Sequence, residues 1–312
     1  MSLSEIVARY ITYKQSIGMC FRSPSKILNS FSKTMGDPEI AEVQPDRVLA
    51  FLIGTGPITR NAKDKHDVLR GFYRFAMSRG HVSVAPLPAR VPRPTRAFVP
   101  YIYSPEELRR LLDTAASSGC DPRSYLQPHT SRMLILLLYG AGLRISEALS
   151  LTLGDADLAN GILTIRETKF YKTRLVPMGS DLNQALGLYV ARRLTDHPAN
   201  PDARLFCSPK GARVMPATAE KTFARIRVCA GVLRHDGSRL QPRLHDLRHS
   251  FAVHRMVSWY RQGADVQRLL PQLATYLGHA NIAGTQRYLT MTPDLLQEAG
   301  RRFATYAGGR HE

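Results

Sequence analysis

Four short stretches in the last two thirds of the chain combine basic side chains, histidines and a tyrosine in ways that packing alone does not require. In YGAGLRISEALSLTLGD, Arg144 follows a glycine-ended apolar run and opens a second helical pattern. A guanidinium at a helix N-terminus opposes the helix dipole unless an anion binds there; it can equally be the partner of Glu147 or Asp155. TKFYKTR, at the tip of an expected hairpin, carries Lys169 and Lys172, where a lysine is ordinarily solvated. In LHDLRHSFA, His245 and Arg248 are three residues apart and share a helix face, at the margin of apolar Leu244, Leu247 and Phe251. In LGHANIAGTQRYLT, His279 stands nine residues before Tyr288. Either Tyr288 is a packing residue with a bonded hydroxyl, or it is a nucleophile presented beside a histidine.

If the four stretches converge, the site holds two arginines, a lysine, two histidines and a tyrosine. It lacks a carboxylate cluster of the kind that binds hard metal ions, and it lacks a glycine-rich phosphate loop. Two guanidinium forks match the non-bridging oxygens of a phosphodiester. Their fixed charge stabilises the charge that develops in phosphoryl transfer. A tyrosine, weak at its reference pKa of about 10, is activated by nearby cations and by a histidine that accepts its proton. A lysine or histidine can protonate the departing oxygen. Such a set breaks and rejoins a nucleic-acid backbone through a phosphotyrosine, with no metal and no cofactor.

The elements that must carry these residues are legible in outline. The 312 residues allow two domains, and 44% hydrophobic content is enough for a substantial core. The net charge is +18, with +8 in residues 1–100 and +10 in the remainder. Both halves therefore suit a polyanionic partner. No apolar run reaches 18 residues, so no transmembrane helix is expected, and the first residues lack a signal peptide's continuous apolar region. Cys20, Cys120, Cys207 and Cys229 form no CxxC pair, and reduced intracellular thiols are expected.

Residues 1–86 read as helices, with helical spacing in IVARYI and VLRGFYRFAM and a helix start at PDRVLAFL after Gln44. APLPARVPRPTRAFVPY, with five prolines and three arginines, reads as an extended basic linker, assigned to residues 87–100. A second domain, 101–312, opens at YSPEELRRLLDTA, where Ser104, Pro105 and Glu107 make an N-cap, a first-turn proline and a capping box. MLILLLYGAGL reads as a buried helix. GILTIRETKFYKTRLVPM reads as a β-hairpin. ATAEKTFARIRVCAGVL, LRHSFAVHRMVSWY and DVQRLLPQLATYLG read as amphipathic helices, and the tail after Pro293 places Leu295, Leu296, Ala299 and Phe303 on one face. The expected fold is mainly α with one small antiparallel sheet.

At these motifs the sequence resembles the tyrosine recombinases, the phage-integrase family. GLRISEALSLTLGD resembles its first arginine motif, TKFYKTRLVPM its lysine hairpin, LHDLRHSFA its H-x-x-R motif and LGHANIAGTQRY its G-H…Tyr motif. The four occur in order from about Tyr101 to Thr290; the N-terminal half agrees in layout rather than in motif. The resemblance implies a helical core-binding domain that grips DNA, followed by an α+β catalytic domain. It implies that Tyr288 is the nucleophile, that Arg144 and Arg248 hold the scissile phosphate, and that Lys169 is the general acid, with Lys172 the alternative. His245 would assist proton transfer and His279 would bond the phosphate. It further implies a 3′-phosphotyrosyl link, no metal or ATP, and a homotetramer on paired double-stranded DNA sites, alone or with related recombinases or accessory factors, cytoplasmic and nucleoid-associated in a bacterium, with no membrane partner. The tail would dock on a neighbour or on its own domain. Integration or transposition of a mobile element is the expected role. A binding protein that kept the fold would have lost a catalytic residue, and none is missing. A topoisomerase of the same chemistry would act as a monomer, which the short N-terminal half and the tail do not favour. Two departures stand out: Gly284 replaces a frequent threonine, which would loosen the tyrosine segment, and the 31 residues from Arg248 to His279 are more than a compact member needs.

Overall fold

The computed structural model describes residues 1–56, 58, 60–91, 99–117, 125–166, 173–238, 240–279, 281–290, 296–298, 300 and 301. The chain divides into two compact units, Met1–Phe98 and Val99–Glu312.

The first unit is built from α1 (Leu3–Ser16), α2 (Arg22–Met35), α3 (Pro45–Ile53) and α4 (Arg60–Ser78). Ser2 caps α1 by accepting from the Glu5 N–H in a capping box. Pro45 fits the first turn of α3, where its missing N–H costs nothing. Leu3, Ile6, Leu28, Phe31, Leu52, Leu69, Phe72 and Tyr73 recur at helical spacing and form one buried core. Ala85, Leu87 and Val91 also pack on this core, and His66 Nε2 lies 3.0 Å from the Pro88 carbonyl oxygen. The proline-rich stretch up to Val91 therefore lies against the first unit, and residues 92–98 fall outside the described residues.

In the second unit, α5 (Pro105–Ala116) starts at the capping box of Ser104 and Glu107. It packs on α6 (Pro128–Gly140), whose Met133, Leu134, Ile135, Leu137 and Leu138 are buried. α7 (Ile145–Ala148) follows a sharp glycine turn. Strands β1 (Ala156–Asp157), β2 (Ile162–Ile165) and β3 (Arg174–Pro177) form an antiparallel sheet in that order, with Leu163 opposite Val176. The expected hairpin is present as β2 and β3. Its tip, with Lys169 and Lys172, lies outside the described residues. Helices α8 (Ser180–Asp196), α9 (Pro216–Cys229), α10 (Leu244–Arg261) and α11 (Val266–Leu277) complete the unit, with the short α12 (Ala283–Gln286) and a 3-10 turn at Arg287–Thr290.

Helix α10 differs from its amphipathic expectation. Ten of its residues are buried, because it joins two apolar clusters: Leu244 and Leu247 belong to the main core, while Phe251, Ala252, Val253, Met256 and Val257 pack with α11 and Tyr288. A helix covered on several sides loses the polar stripe that a sequence pattern would show. Its N-cap and second turn are pinned from afar. The Tyr103 N–H donates to Ser250 Oγ at 2.9 Å, and the Tyr103 hydroxyl donates to the Arg243 carbonyl oxygen. The length between Arg248 and His279 is taken up by the end of α10, a turn at 262–265 and the whole of α11, with Trp259 and Tyr260 packed on the second cluster. Of the tail, Leu296 is exposed and Glu298 pairs with Arg261 and Arg301; Leu295, Ala299 and Phe303 lie outside the described residues.

Candidate functional site

The C-terminal end of α11 organises the site. The last carbonyls of a helix have no partner within it and carry its negative dipole end. Here three successive carbonyls are met by three arginines from distant parts of the chain. Tyr276 O accepts from Arg174 Nε at 3.0 Å, Leu277 O from Arg248 Nη2, and Gly278 O from Arg144 Nη2 at 2.9 Å. Gly278 closes α11 at φ +66°, and a Cβ there would sit 2.8 Å from Arg174 Nη1. Only glycine both adopts this turn and admits the guanidinium.

The same arginines surround one buried carboxylate. Glu147 Oε1 accepts from Arg144 Nη1 at 2.6 Å, and Arg174 grips Glu147 with both terminal nitrogens, at 3.0 and 2.9 Å. Arg248 Nη1 lies 3.9 Å from Oε2 and donates to the Gly142 carbonyl oxygen at 2.7 Å. Burial alone would raise the Glu147 pKa. The hydrogen bonds from the Arg174 side chain and the Arg144 N–H, and then the charges of both arginines, outweigh it and hold the carboxyl at about 2. Arg248 is only 2% exposed. Burial and the charge of Arg144 lower its pKa to about 10, against the attraction of Glu147, so it remains a cation at neutral pH. Three guanidiniums against one carboxylate leave two positive charges in excess, a favourable setting for an anion.

Arg144 caps the four-residue α7, with its backbone N–H bonded to Glu147 at 2.9 Å. Of its two expected acidic partners it takes Glu147; Asp155 pairs with Arg166. Gly142, at φ +59°, lets the chain turn against α10: a Cβ there would lie 2.6 Å from the Phe251 ring.

Tyr288 lies in the 3-10 turn, 2% exposed. Its ring stacks on His279 at a centroid distance of 6.2 Å. Its hydroxyl, however, lies 3.0 Å from Nδ1 of His249. His279 Nδ1 is 2.7 Å from Thr285 Oγ1, and Thr285 is fully buried. The threonine next to Gly284 thus anchors the segment that the glycine would have loosened. Desolvation, followed by the charges of Arg248, Arg144 and Arg174, pulls the His279 pKa down to about 4, so its ring is neutral at pH 7. His245 lies on the outer face of α10. Partial desolvation and the charges of Arg248 and Arg243 lower its pKa, against Asp246. Its ring meets His249 edge-on at 4.8 Å.

The fold therefore gathers Arg144, Arg248, His279 and Tyr288 around one helix end, with His245 reached through His249. Arg174, His249 and Thr285 are participants that motif reading passes over. Arg174 shares a strand face with buried Val176, two residues on, and His249 is one helical turn beyond His245. Those spacings were the available signals.

A buried tyrosine beside histidines and a positively charged arginine cluster thus lies on a mainly helical unit with a three-stranded antiparallel sheet. The chain belongs to the phage integrase family, whose model matches residues 103–294, and it is a site-specific DNA recombinase. It is 38% identical over 301 residues to y4rE of Sinorhizobium fredii, described as an integrase/recombinase, covering 96% of this chain and 95% of that one. It is 32% identical to the tyrosine recombinase XerC of Azotobacter vinelandii, over 78% of this chain and 73% of that one. Among solved structures, the Tn1549 transposon integrase bound to circular-intermediate DNA superposes with a TM-score of 0.71 at 17% identity, covering 97% and 99% of the two chains. The lambda integrase tetramer bound to a Holliday junction gives 0.66 at 16% identity, over 92% and 77%. Among the described residues no helix is long and apolar enough to cross a membrane.

Proposed function

We propose that Tyr288 is the nucleophile of a metal- and ATP-independent DNA strand exchange. Its Oη attacks the scissile phosphorus, the bond from phosphorus to the 5′ oxygen breaks, and a 3′-phosphotyrosyl link forms. A 5′-hydroxyl from the partner strand then attacks that link and releases the tyrosine. The covalent link retains the free energy of the phosphodiester, so no external energy is needed. Arg144 and Arg248 hold the non-bridging oxygens, and the neutral His279 donates to one of them. Lys169 protonates the leaving 5′ oxygen, with Lys172 its alternative, and His245 assists proton transfer.

The observation that carries this reading is the meeting of Arg144, Arg248, His279 and Tyr288 at the end of α11 with two positive charges in excess. The substrate is double-stranded DNA, gripped by the helices of residues 1–86 and the basic stretch after them. The working assembly is a homotetramer on paired sites, with the tail after Pro293 docking on a neighbour or on its own domain, where Glu298 pairs with Arg261. The lambda integrase tetramer on a Holliday junction supports that assembly by analogy. The biological role is integration or transposition of a mobile element, in a bacterial cytoplasm. The near full-length match to an integrase/recombinase supports it. The test is a nicked suicide duplex drawn from the DNA flanking the gene, incubated in EDTA. A covalent protein–DNA band from wild type and none from Tyr288→Phe is expected. Adduct formation by Tyr288→Phe would refute the assignment.

A further inference from the structure

His249, which lies at hydrogen-bonding distance from the tyrosine, has no role in the mechanism above. Tyr288 Oη lies 3.0 Å from His249 Nδ1, with ring centroids 5.5 Å apart. His245, the histidine of the H-x-x-R motif, lies on the exposed face and meets His249 by ring contact. His279 stacks on the tyrosine ring and turns its Nδ1 to Thr285. Of these three histidines, His249 is the one whose nitrogen lies at hydrogen-bonding distance from the tyrosine oxygen.

We propose that His249 is a further catalytic residue: its Nδ1 takes the Tyr288 proton during cleavage and returns it during rejoining. The proposal rests on Tyr288 being the nucleophile. In cleavage, a new bond forms from Oη to phosphorus as the phenolic proton passes to Nδ1. The 5′ oxygen leaves and takes a separate proton from the general acid. In rejoining, the 5′-hydroxyl attacks the phosphotyrosine and returns its proton to the general acid that gave it up in cleavage, and Oη leaves with the proton held on Nδ1. Proton and electron pair balance in both directions, with no further reactant. A donor–acceptor distance of 3.0 Å is within reach for direct transfer. The adjoining guanidiniums favour phenolate character at the moment of attack. His249 is fixed on α10, one residue after Arg248, so phosphate clamp and base are carried by the same rigid helix.

The experiment measures single-turnover cleavage of a nicked duplex by His249→Ala and His249→Asn. The asparagine amide lies near the position of ring Nδ1 and keeps a hydrogen bond without being able to take a proton. Each variant is assayed with the ordinary 5′ oxygen and with a 5′-bridging sulfur, a leaving group that needs no protonation. Both variants should fold by circular dichroism and bind DNA as wild type does. Both should cleave about 100-fold or more slowly with either leaving group, because the lost step is at the attacking oxygen. Wild-type rates in His249→Asn would overturn the proposal, as would recovery on the sulfur substrate, which would move the residue to the leaving-group side. Tyr288→Phe run alongside separates the two assignments. An adduct from that variant removes the nucleophile itself, whereas no adduct there, with full-rate His249→Asn, removes His249 alone.

Discussion

Replacing Glu147 by Gln should unbalance the arginine cluster while leaving its shape almost unchanged. The carboxylate accepts from Arg144 and from both terminal nitrogens of Arg174. An amide retains one acceptor and turns an NH₂ toward a guanidinium, donor against donor. Holding the carboxyl at about 2 rather than its ordinary 4.5 corresponds to about 3 kcal/mol favouring the charged form. Removing one partner of a buried ion pair typically costs about 3–5 kcal/mol. The two figures agree, so a loss of about 3 kcal/mol or more at pH 7 is expected. Because the folded-state pKa lies below the unfolded one, this stability is present above pH 4.5 and fades as pH falls toward 2. The assay is urea unfolding followed by Trp259, the single tryptophan, which packs with the α10–α11 cluster and so reports on this unit. The difference between variant and wild type should be full at pH 7 and should shrink by roughly pH 3. A loss below about 1 kcal/mol at pH 7, or one that does not change with pH, would mean that the charged Glu147 does not hold the arginine cluster together.

Three further outcomes follow from the same geometry. His279, held near 4 against an ordinary 6.5, stabilises the fold above pH 6.5, and this contribution is lost as pH falls toward 4; His279→Gln should therefore flatten the melting temperature between those values, and an unchanged slope would count against the neutral, desolvated ring. Arg174→Lys exchanges a fork for a point charge and should cost about 1–3 kcal/mol in unfolding free energy. It should also slow DNA cleavage more than it weakens DNA binding, so equal losses in both would make Arg174 a surface contact only. Gly142→Ala puts a Cβ 2.6 Å from Phe251 at φ +59° and should destabilise by more than about 2 kcal/mol. Gly231→Ala, at φ +64° with open space around it, should cost only the backbone strain of about 1 kcal/mol, and similar melting temperatures for the two would show that the close approach is unimportant.

What the sequence discloses and what it hides follow from the range of the interactions. The capping box of Ser104 and Glu107, the proline-led start of α3 and the strand pairing of β2 and β3 are local and appear as local patterns. The burial of α10 on several sides depends on two clusters assembled from distant segments, so no periodicity within the helix announces it. The motif residues Arg144, Arg248, His279 and Tyr288 were legible because the chemistry restricts their types. Arg174 became visible only when Glu147, 27 residues earlier, came within hydrogen-bonding range. His249 became visible only when Tyr288, 39 residues later, packed on it. Gly284 was misleading by itself, since the neighbouring Thr285 makes the bond that fixes His279.

In the proposed strand exchange, one phenolic oxygen carries the DNA strand between cleavage and rejoining. This is tested most directly by digesting the wild-type covalent adduct, formed in EDTA, with protease and nuclease and sequencing the nucleotide-bearing peptide by mass spectrometry. A single modified peptide spanning Gln286 to Thr290 is expected, with the 3′-phosphate on Tyr288. A nucleotide on any other side chain, or an adduct that forms only when a divalent metal is supplied, would contradict it.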